Sequence, residues 1–124
     1  MIEESMQQFM VENSYLYASM NQEYLAKTIN DCVKSKQYLY EPNKYVWLYW
    51  LIHEKDIDSV CSKKIPDDID ITGGNILYIT ECCCKDDEGM KKAIKILRKL
   101  PFKGLFWHRN NKPMIFPRQK GVMI

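Results

Sequence analysis

Residues 75–108, NILYITECCCKDDEGMKKAIKILRKLPFKGLFWH, predict a strand, a loop, a helix and a second strand, in that order. The apolar run 75–81 is typical of a buried strand. Over residues 86–100 the apolar side chains recur at helical spacing, which places these five on one face: Met90, Ala93, Ile94, Leu97 and Leu100. Pro101 ends the helix, and residues 102–108 form the next strand. If the two strands are parallel neighbours, the helix between them is a right-handed crossover.

The start of this helix is a place where a ligand phosphate can bind, because a helix N-terminus offers free N–H groups and the positive end of its dipole. In this sequence the first turn carries three carboxylates, Asp86, Asp87 and Glu88. Carboxylates at this position accept hydrogen bonds from the free N–H groups and repel an anion. The sequence therefore predicts a helix start that is capped by its own side chains and closed to phosphate.

The N-terminal third of the chain predicts helix from residue 2 to about 36. One apolar stripe runs along it at steps of three and four residues, which is the spacing of core packing: Ile2, Met6, Phe9, Met10, Tyr17, Met20 and Tyr24. Asn13 and Ser14 are weak points in this helix, and Asn21 is suited to cap a second helix over residues 22–36.

The middle of the chain predicts strands. Two strand-like runs flank a Pro-Asn-Lys turn at residues 42–44, and the second, Tyr45 to Ile52, is apolar throughout, as in a central strand covered on both faces. Residues 53–74 are polar. After the crossover unit, Asn110–Asn111 predicts a hairpin turn between the last two strands.

Together these elements predict one α+β domain over residues 1–124, which is an ordinary size for a single domain. A helical segment, 1–36, precedes a sheet region, 37–118, and residues 119–124 form a tail. The sheet is expected to be mixed and mostly antiparallel, with about five strands and with helices packed on it.

The charges are divided unevenly along the chain. All 16 acidic residues lie between Glu3 and Glu88, whereas residues 89–124 carry ten Lys or Arg and no acidic residue. Such a division suggests a basic face that meets an anionic partner, either nucleic acid, a phosphorylated cofactor or an acidic protein. In the alternative interpretation the two halves neutralise each other within the fold.

The cysteines and the apolar runs bear on the location of the protein. The chain has five cysteines, an odd number, and its acidic, amphipathic beginning differs from a signal peptide. No apolar run approaches the roughly 20 residues that span a bilayer, so we expect no membrane segment and a cytoplasmic, reducing environment. Cys82, Cys83 and Cys84 are interpreted as small apolar residues rather than metal ligands, since neighbours on a strand face opposite sides.

The order of elements resembles the GNAT acyltransferase fold, in particular the toxin-activating lysine acyltransferases and short phage-encoded relatives. The resemblance covers about residues 37–118 and is based on the stretches YVWLYWLI, IPDDIDITGGNILYIT, GMKKAIKILRKL and FKGLFWHRNNKPMIFPR. It implies acyl transfer from an acyl-CoA, and a location in the host cytoplasm or, for a phage protein, in the virion.

Two features differ from the family pattern. The loop that holds the acyl-CoA diphosphate in GNAT enzymes is rich in glycine, whereas the matching CCCKDDEG has one glycine, and its three carboxylates disfavour acyl-CoA. The toxin-activating enzymes also have a catalytic histidine near the N-terminus. Only His53 and His108 occur here, and neither matches that position, so the family's catalytic residues are not assigned.

A candidate site can still be proposed from the predicted topology. Ligands bind beyond the carboxyl ends of parallel strands, where Glu81 ends one strand and His108 ends the next. These two are the candidate general base and proton shuttle for an amine nucleophile. Arg109, which could hold an anionic group, and Trp107 are the candidate substrate-binding residues. The structural interpretation makes Glu81 a rim carboxylate and His108 a hairpin residue, and His53 is expected at the opposite edge of the sheet.

Two non-enzymatic functions stay open. A nucleic-acid-binding module would use aromatic and basic side chains interleaved on the C-terminal hairpin: Phe106, Trp107, Arg109, Lys112, Phe116, Arg118 and Lys120. A structural, virion or protein-interaction component would use the amphipathic N-terminal helices to contact a partner or further copies of the chain. The modified phosphate loop favours this last interpretation over an active enzyme.

Overall fold

The computed structural model describes the backbone of residues 2–109 and 112–117 and the side chains of residues 2–105. In chain order the elements are α1 (Ile2–Asn13), α2 (Tyr15–Ser19), α3 (Gln22–Lys34), β1 (Tyr38–Glu41), β2 (Tyr45–Ile52), α4 (Ile57–Cys61), β3 (Ile76–Cys84), α5 (Asp87–Leu97), β4 (Gly104–Arg109) and β5 (Lys112–Pro117). A 3₁₀ turn, Glu54–Asp56, precedes α4. The predicted tail and the predicted turn residues Asn110–Asn111 lie outside the described residues.

The strands form one mixed sheet in the order β1-β2-β3-β4-β5. The pairs β1–β2, β2–β3 and β4–β5 are antiparallel, and β3–β4 is parallel. The α+β class and the mixed, mostly antiparallel sheet are therefore confirmed. The parallel pair is joined through α5, as residues 75–108 predict.

Helices cover both faces of the sheet. Helices α1, α2 and α3 pack on one face, where β2 contributes Val46 and Leu48 to a buried cluster. Helix α5 packs on the other face, against a cluster that contains Tyr45 and Trp47 of β2. The prediction that β2 is a central strand with both faces covered is thus confirmed. The sheet is the middle layer of three.

The N-terminal helical segment is interrupted at its predicted weak points. Helix α1 ends at Asn13, and Ser14 has an extended backbone. The side chain of Asn21 accepts a hydrogen bond from the N–H of Tyr24 at 3.0 Å and caps α3, as predicted. Part of the predicted stripe is wrong, because Ile2 is 37% and Tyr24 59% exposed. Among the described helices, none is long and apolar enough to span a membrane.

Helix α5 begins and ends close to its predicted bounds. Ala93 and Leu97 are buried against the sheet, as the periodicity predicts. Met90 is predicted on the same face but is 45% exposed, because the buried face of α5 runs through Gly89, Ala93 and Leu97 and Met90 lies at its margin.

The polar stretch 53–74 contains a helix that the sequence analysis does not predict. In α4 the side chain of Val60 is fully buried, and Ile57 and Cys61 pack beside it on the end of the sheet. The spacing of these three residues, i, i+3 and i+4, is helical. The signal is only five residues long and lies among charges, which explains why it was missed.

Candidate functional site

Strands β3 and β4 pair over only part of their length. The parallel register runs from Ile76↔Gly104 to Ile79↔Trp107, and β3 then continues to Cys84 with β2 as its partner on the other side. The register between β2 and β3 shifts at Leu48/Tyr49, which leaves Thr80 as an extra residue of β3. Such bulges bend the strand and occur often beside functional sites. The pairing of β3 with β4 thus ends at Ile79, two residues before Glu81.

Glu81 lies on the sheet face that α1–α3 cover, opposite Leu48. The side chain is partly buried, and burial raises the pKa of the Glu81 carboxyl above its usual value. A hydrogen bond from Tyr17 offsets part of that rise. A carboxylate with a raised pKa is a better proton acceptor than an exposed one, which is what a general base needs.

Tyr17 of α2 contacts β3 next to Glu81. Its hydroxyl accepts a hydrogen bond from the Cys82 N–H at 2.9 Å and donates one to the Cys82 carbonyl oxygen at 3.0 Å. The side chain is 4% exposed, and burial, followed by the nearby Glu81 charge, raises the pKa of Tyr17 far above its usual range. Tyr17 therefore stays protonated and has two acceptors for its single proton, the Cys82 carbonyl and the Glu81 carboxylate. Nothing in the sequence predicts this contact, because Tyr17 is one of several apolar residues in the N-terminal stripe.

Further aromatic and thiol groups surround Glu81. Burial, and then the Glu81 charge, raises the pKa of Tyr78 to about 12, and the Tyr78 ring contacts Trp50 edge-to-face with 5.8 Å between ring centroids. Burial also raises the pKa of Cys32 to about 12. These groups are neutral at physiological pH. Among these neighbours Glu81 is the carboxyl group, and burial raises its pKa.

The other predicted site residues are described only through their backbone. Trp107 is the last residue of β4 that pairs with β3, opposite Ile79. His108 and Arg109 continue β4 at this end of the parallel pair, where β3 continues through Thr80 to Glu81. In the β4–β5 register His108 is opposite Pro113 and Arg109 is opposite Lys112. Their side chains lie outside the described part of the structure, so the Glu81–His108 pair stays a prediction.

The start of α5 has the capped form that the sequence predicts. The Asp86 side chain accepts a hydrogen bond from the Gly89 N–H at 2.9 Å, and Asp87 and Glu88 are exposed. The preceding loop is shorter than expected, because Cys82, Cys83 and Cys84 belong to β3, and only Lys85 and Asp86 separate strand from helix. The sequence predicts these cysteines in the loop, since the predicted strand ends at residue 81.

The five cysteines differ in burial. Cys32 and Cys83 are buried, as the interpretation as small apolar residues requires, but Cys82 is exposed. The Trp47 indole N–H donates to the Cys84 sulfur at 3.1 Å. Within the described residues no three His, Cys, Asp or Glu side chains are grouped as metal ligands.

His53 lies at the opposite end of the strands from Glu81, as predicted. It follows Ile52, the last residue of β2, which pairs with Ile76, the first residue of β3. Its Nε2 is 2.8 Å from Asp70 Oδ2, beside a surface cavity of about 270 Å³. The other oxygen of Asp70 accepts hydrogen bonds from the N–H groups of Thr72 and Gly73, both at 3.0 Å. These three bonds lower the pKa of Asp70, the Thr72 bond most. Asp70 is therefore fully used in holding its loop, which is a structural role.

The comparisons with known proteins identify no relative. No family model matches the chain, and neither a curated protein nor a solved structure matches it. The resemblance to GNAT acyltransferases stays a prediction on these results.

Proposed function

We propose that this chain is a GNAT-like acyltransferase-type domain that transfers an acyl group from a thioester to an amine, with Glu81 as the general base. The observation that carries the proposal is the position of Glu81: a partly buried carboxylate with a raised pKa, at the point where two parallel strands end their pairing. Open sheets bind ligands beyond the carboxyl ends of parallel strands. The phage relationship and the cytoplasmic or virion location implied by the resemblance belong to the same proposal.

The chemistry requires a neutral amine. Glu81 accepts a proton from the ammonium form or from the attacking nitrogen, directly or through His108, as its raised pKa favours. The amine nitrogen attacks the thioester carbonyl, the C–N bond forms, and the C–S bond breaks. The thiolate leaves with its electron pair and takes up the proton that the attacking nitrogen loses, and a proton taken from the ammonium form passes from Glu81 to solvent. Arg109 is the proposed contact for an anionic group of the substrate.

The capped start of α5 limits how a donor binds. Asp86 already accepts from the Gly89 N–H, and Asp87 and Glu88 add exposed negative charge at the same turn. A diphosphate there is repelled. We infer that a donor is held through its thioester and the adjacent chain, and that the nucleotide of coenzyme A contributes little.

A binding comparison tests this inference. Acetyl-CoA and S-acetylpantetheine, which lacks the nucleotide, are titrated against the wild-type protein and against a triple variant, Asp86→Asn/Asp87→Asn/Glu88→Gln. Asparagine retains the N-cap function, so the variant changes charge without removing the cap. We expect similar affinities for both donors in the wild type and a preference for acetyl-CoA in the variant. Binding of acetyl-CoA by the variant alone would mark a domain that has lost its activity.

Glu81 is tested separately. In Glu81→Gln the side chain keeps its size and hydrogen-bonding atoms, and we expect acyl transfer to a panel of amines to fall by roughly 10²- to 10⁴-fold while donor binding is unchanged. Equal transfer rates for Glu81→Gln and wild type would refute the assigned role of Glu81.

A nucleic-acid-binding module is the second candidate, and the charge on α5 favours it. Four lysines in α5 or just after its end are exposed: Lys91, Lys92, Lys95 and Lys99. Binding to mixed oligonucleotides that weakens steeply with salt, and that is reduced by charge reversal at Lys91 and Lys95, would support this function over acyl transfer.

A non-catalytic interaction component is the third candidate. Helix α2 exposes Tyr15 by 89% and Leu16 by 62%, and Tyr24 at the start of α3 is 59% exposed. Exposed aromatic side chains of this size favour contact with a partner or with further copies of the chain. A particle mass that rises with protein concentration, and that stays at the monomer value in Tyr15→Ser/Leu16→Ser, would support assembly.

A further inference from the structure

The stretch of β3 beyond Ile79 has a strand partner on one side. Its parallel pairing with β4 ends at Ile79↔Trp107, while its antiparallel pairing with β2 continues to Cys84. Along such an edge every second residue directs its N–H and C=O away from the paired neighbour. These groups are the ones an extended ligand uses when it binds along a sheet edge.

At Cys82 these two backbone groups are both bound by one side-chain atom. The Tyr17 hydroxyl accepts from the Cys82 N–H at 2.9 Å and donates to the Cys82 carbonyl at 3.0 Å. A hydroxyl can fill both roles because it has one proton and two lone pairs. Tyr17 thus takes the place that the N–H and C=O of an extended, amide-containing chain would otherwise occupy.

The helix that supplies Tyr17 packs mainly against α1, and its described hydrogen bonds to the sheet are made by Tyr17. Of the five residues of α2, Tyr17 alone is buried, and Tyr15, Leu16, Ala18 and Ser19 are exposed. Ser14 before the helix and Met20 after it have extended backbones, and the Ser14 side chain makes no cap hydrogen bond. A helix this short is not stable in isolation.

A second tether lies at the end of α2. The Gln22 side chain donates to the carbonyl oxygens of Tyr17 at 2.9 Å and Met20 at 2.8 Å. These bonds hold the segment in its turn onto α3 without contacting β3. The attachment of α2 to the sheet is therefore concentrated in Tyr17.

We propose that α2 is a strap that closes the candidate site, with Tyr17 occupying the β3 edge that an amide-containing ligand uses when the strap opens. The inference rests on the proposed function for the identity of that ligand, the amide-containing chain of a thioester donor. Opening the strap exposes the N–H and C=O of Cys82 together and removes the Tyr17 hydroxyl from Glu81. The described arrangement is the closed state.

The first experiment measures opening without any ligand. Hydrogen exchange of the Cys82 amide is followed by NMR, with the amide of buried Leu77 as the internal reference. Tyr17→Phe keeps the ring and removes the hydroxyl, and we expect it to speed Cys82 exchange roughly fivefold to tenfold relative to Leu77. Gln22→Ala, which loosens the strap from its other end, should also speed Cys82 exchange, and Tyr15→Phe is the matched control that should leave it unchanged.

The second experiment titrates S-acetylpantetheine against wild type and Tyr17→Phe, where we expect roughly tenfold tighter binding by the variant. Faster Cys82 exchange with no donor binding by either protein supports the strap and overturns the proposed function. Donor binding that is equal in the two proteins supports the function and overturns the strap. Exchange of Cys82 and Leu77 that changes by the same factor in Tyr17→Phe and in Gln22→Ala also overturns the strap, because α2 then opens only when the whole domain unfolds.

Discussion

The close approach of Gly89 to the β1–β2 turn makes a prediction with an unusual sign. Gly89 lies in the first turn of α5, where replacement by alanine normally stabilises a helix by about 1 kcal/mol. Here a Cβ on residue 89 would be 2.8 Å from the carbonyl oxygen of Lys44, an atom of the backbone that also accepts from the Lys85 N–H at 2.9 Å. That carbonyl cannot move aside without disturbing the start of α5.

The expected size of the effect follows from three contributions. Alanine gains about 1 kcal/mol of helix propensity, whereas an overpacked contact costs about 1–3 kcal/mol. A shift of α5 also stretches the 2.9 Å hydrogen bond from the Gly89 N–H to Asp86, and an N-cap contributes about 1 kcal/mol. Together these contributions give a net loss of about 0–3 kcal/mol, and we expect Gly89→Ala to lower the free energy of unfolding by about 1–2 kcal/mol, the middle of that range.

Urea unfolding followed by tryptophan fluorescence measures this change. With a urea dependence of about 2 kcal/mol per M, the midpoint should fall by roughly 0.5–1 M. Lys95→Ala at an exposed position of the same helix is the control and should shift stability by at most about 0.5 kcal/mol. A midpoint for Gly89→Ala above that of the wild type would refute the close approach and the reasoning based on it.

Three further outcomes are expected. Burial raises the folded-state pKa of Glu81, so the native state loses stability as pH rises through that pKa. Glu81→Gln should therefore have a higher melting temperature than the wild type near neutral pH and the same melting temperature below about pH 4. A difference in melting temperature that stays constant with pH would contradict this. Asp70→Ala should speed hydrogen exchange at the Thr72 and Gly73 amides, whereas Asp70→Asn retains an acceptor oxygen and should have the smaller effect. Ile29→Ala empties a fully buried site and should cost about 2–5 kcal/mol in chemical unfolding, with a cost under 1 kcal/mol arguing against the described core.

The elements that the sequence predicts well are those with strong local signals. Asn21 caps α3 and Asp86 caps α5 because a short side chain with an acceptor oxygen can satisfy a helix start within three residues. The crossover unit is equally local, since the apolar period changes from strand-like to helical between residues 81 and 90. Such features depend on neighbours in sequence and need no knowledge of the tertiary structure.

The candidate site depends on contacts that have no local signal. Tyr17 and Cys82 are 65 residues apart, and nothing near Tyr17 distinguishes it from the other apolar residues of the stripe. The Cys82–Cys84 run reads as a loop in sequence, although pairing with β2 extends β3 through it. The sequence therefore identifies Glu81 as a residue of interest but not the partner that contacts it.

The extra residue in β3 determines on which side of the protein the acid lies. Side chains of a regular strand alternate, so residues two positions apart share a side. Across Thr80 this rule is broken: Ile79 packs with the α5 cluster, and Glu81 lies beside Tyr17 on the opposite layer. In a strand that stayed regular through Thr80, Glu81 would share the side of Ile79 and face the α5 layer; deletion of Thr80 would instead leave Glu81 directly after Ile79 and keep it on the α1–α3 side. The side on which the proposed base lies thus depends on the bulge at Thr80 as much as on the identity of residue 81.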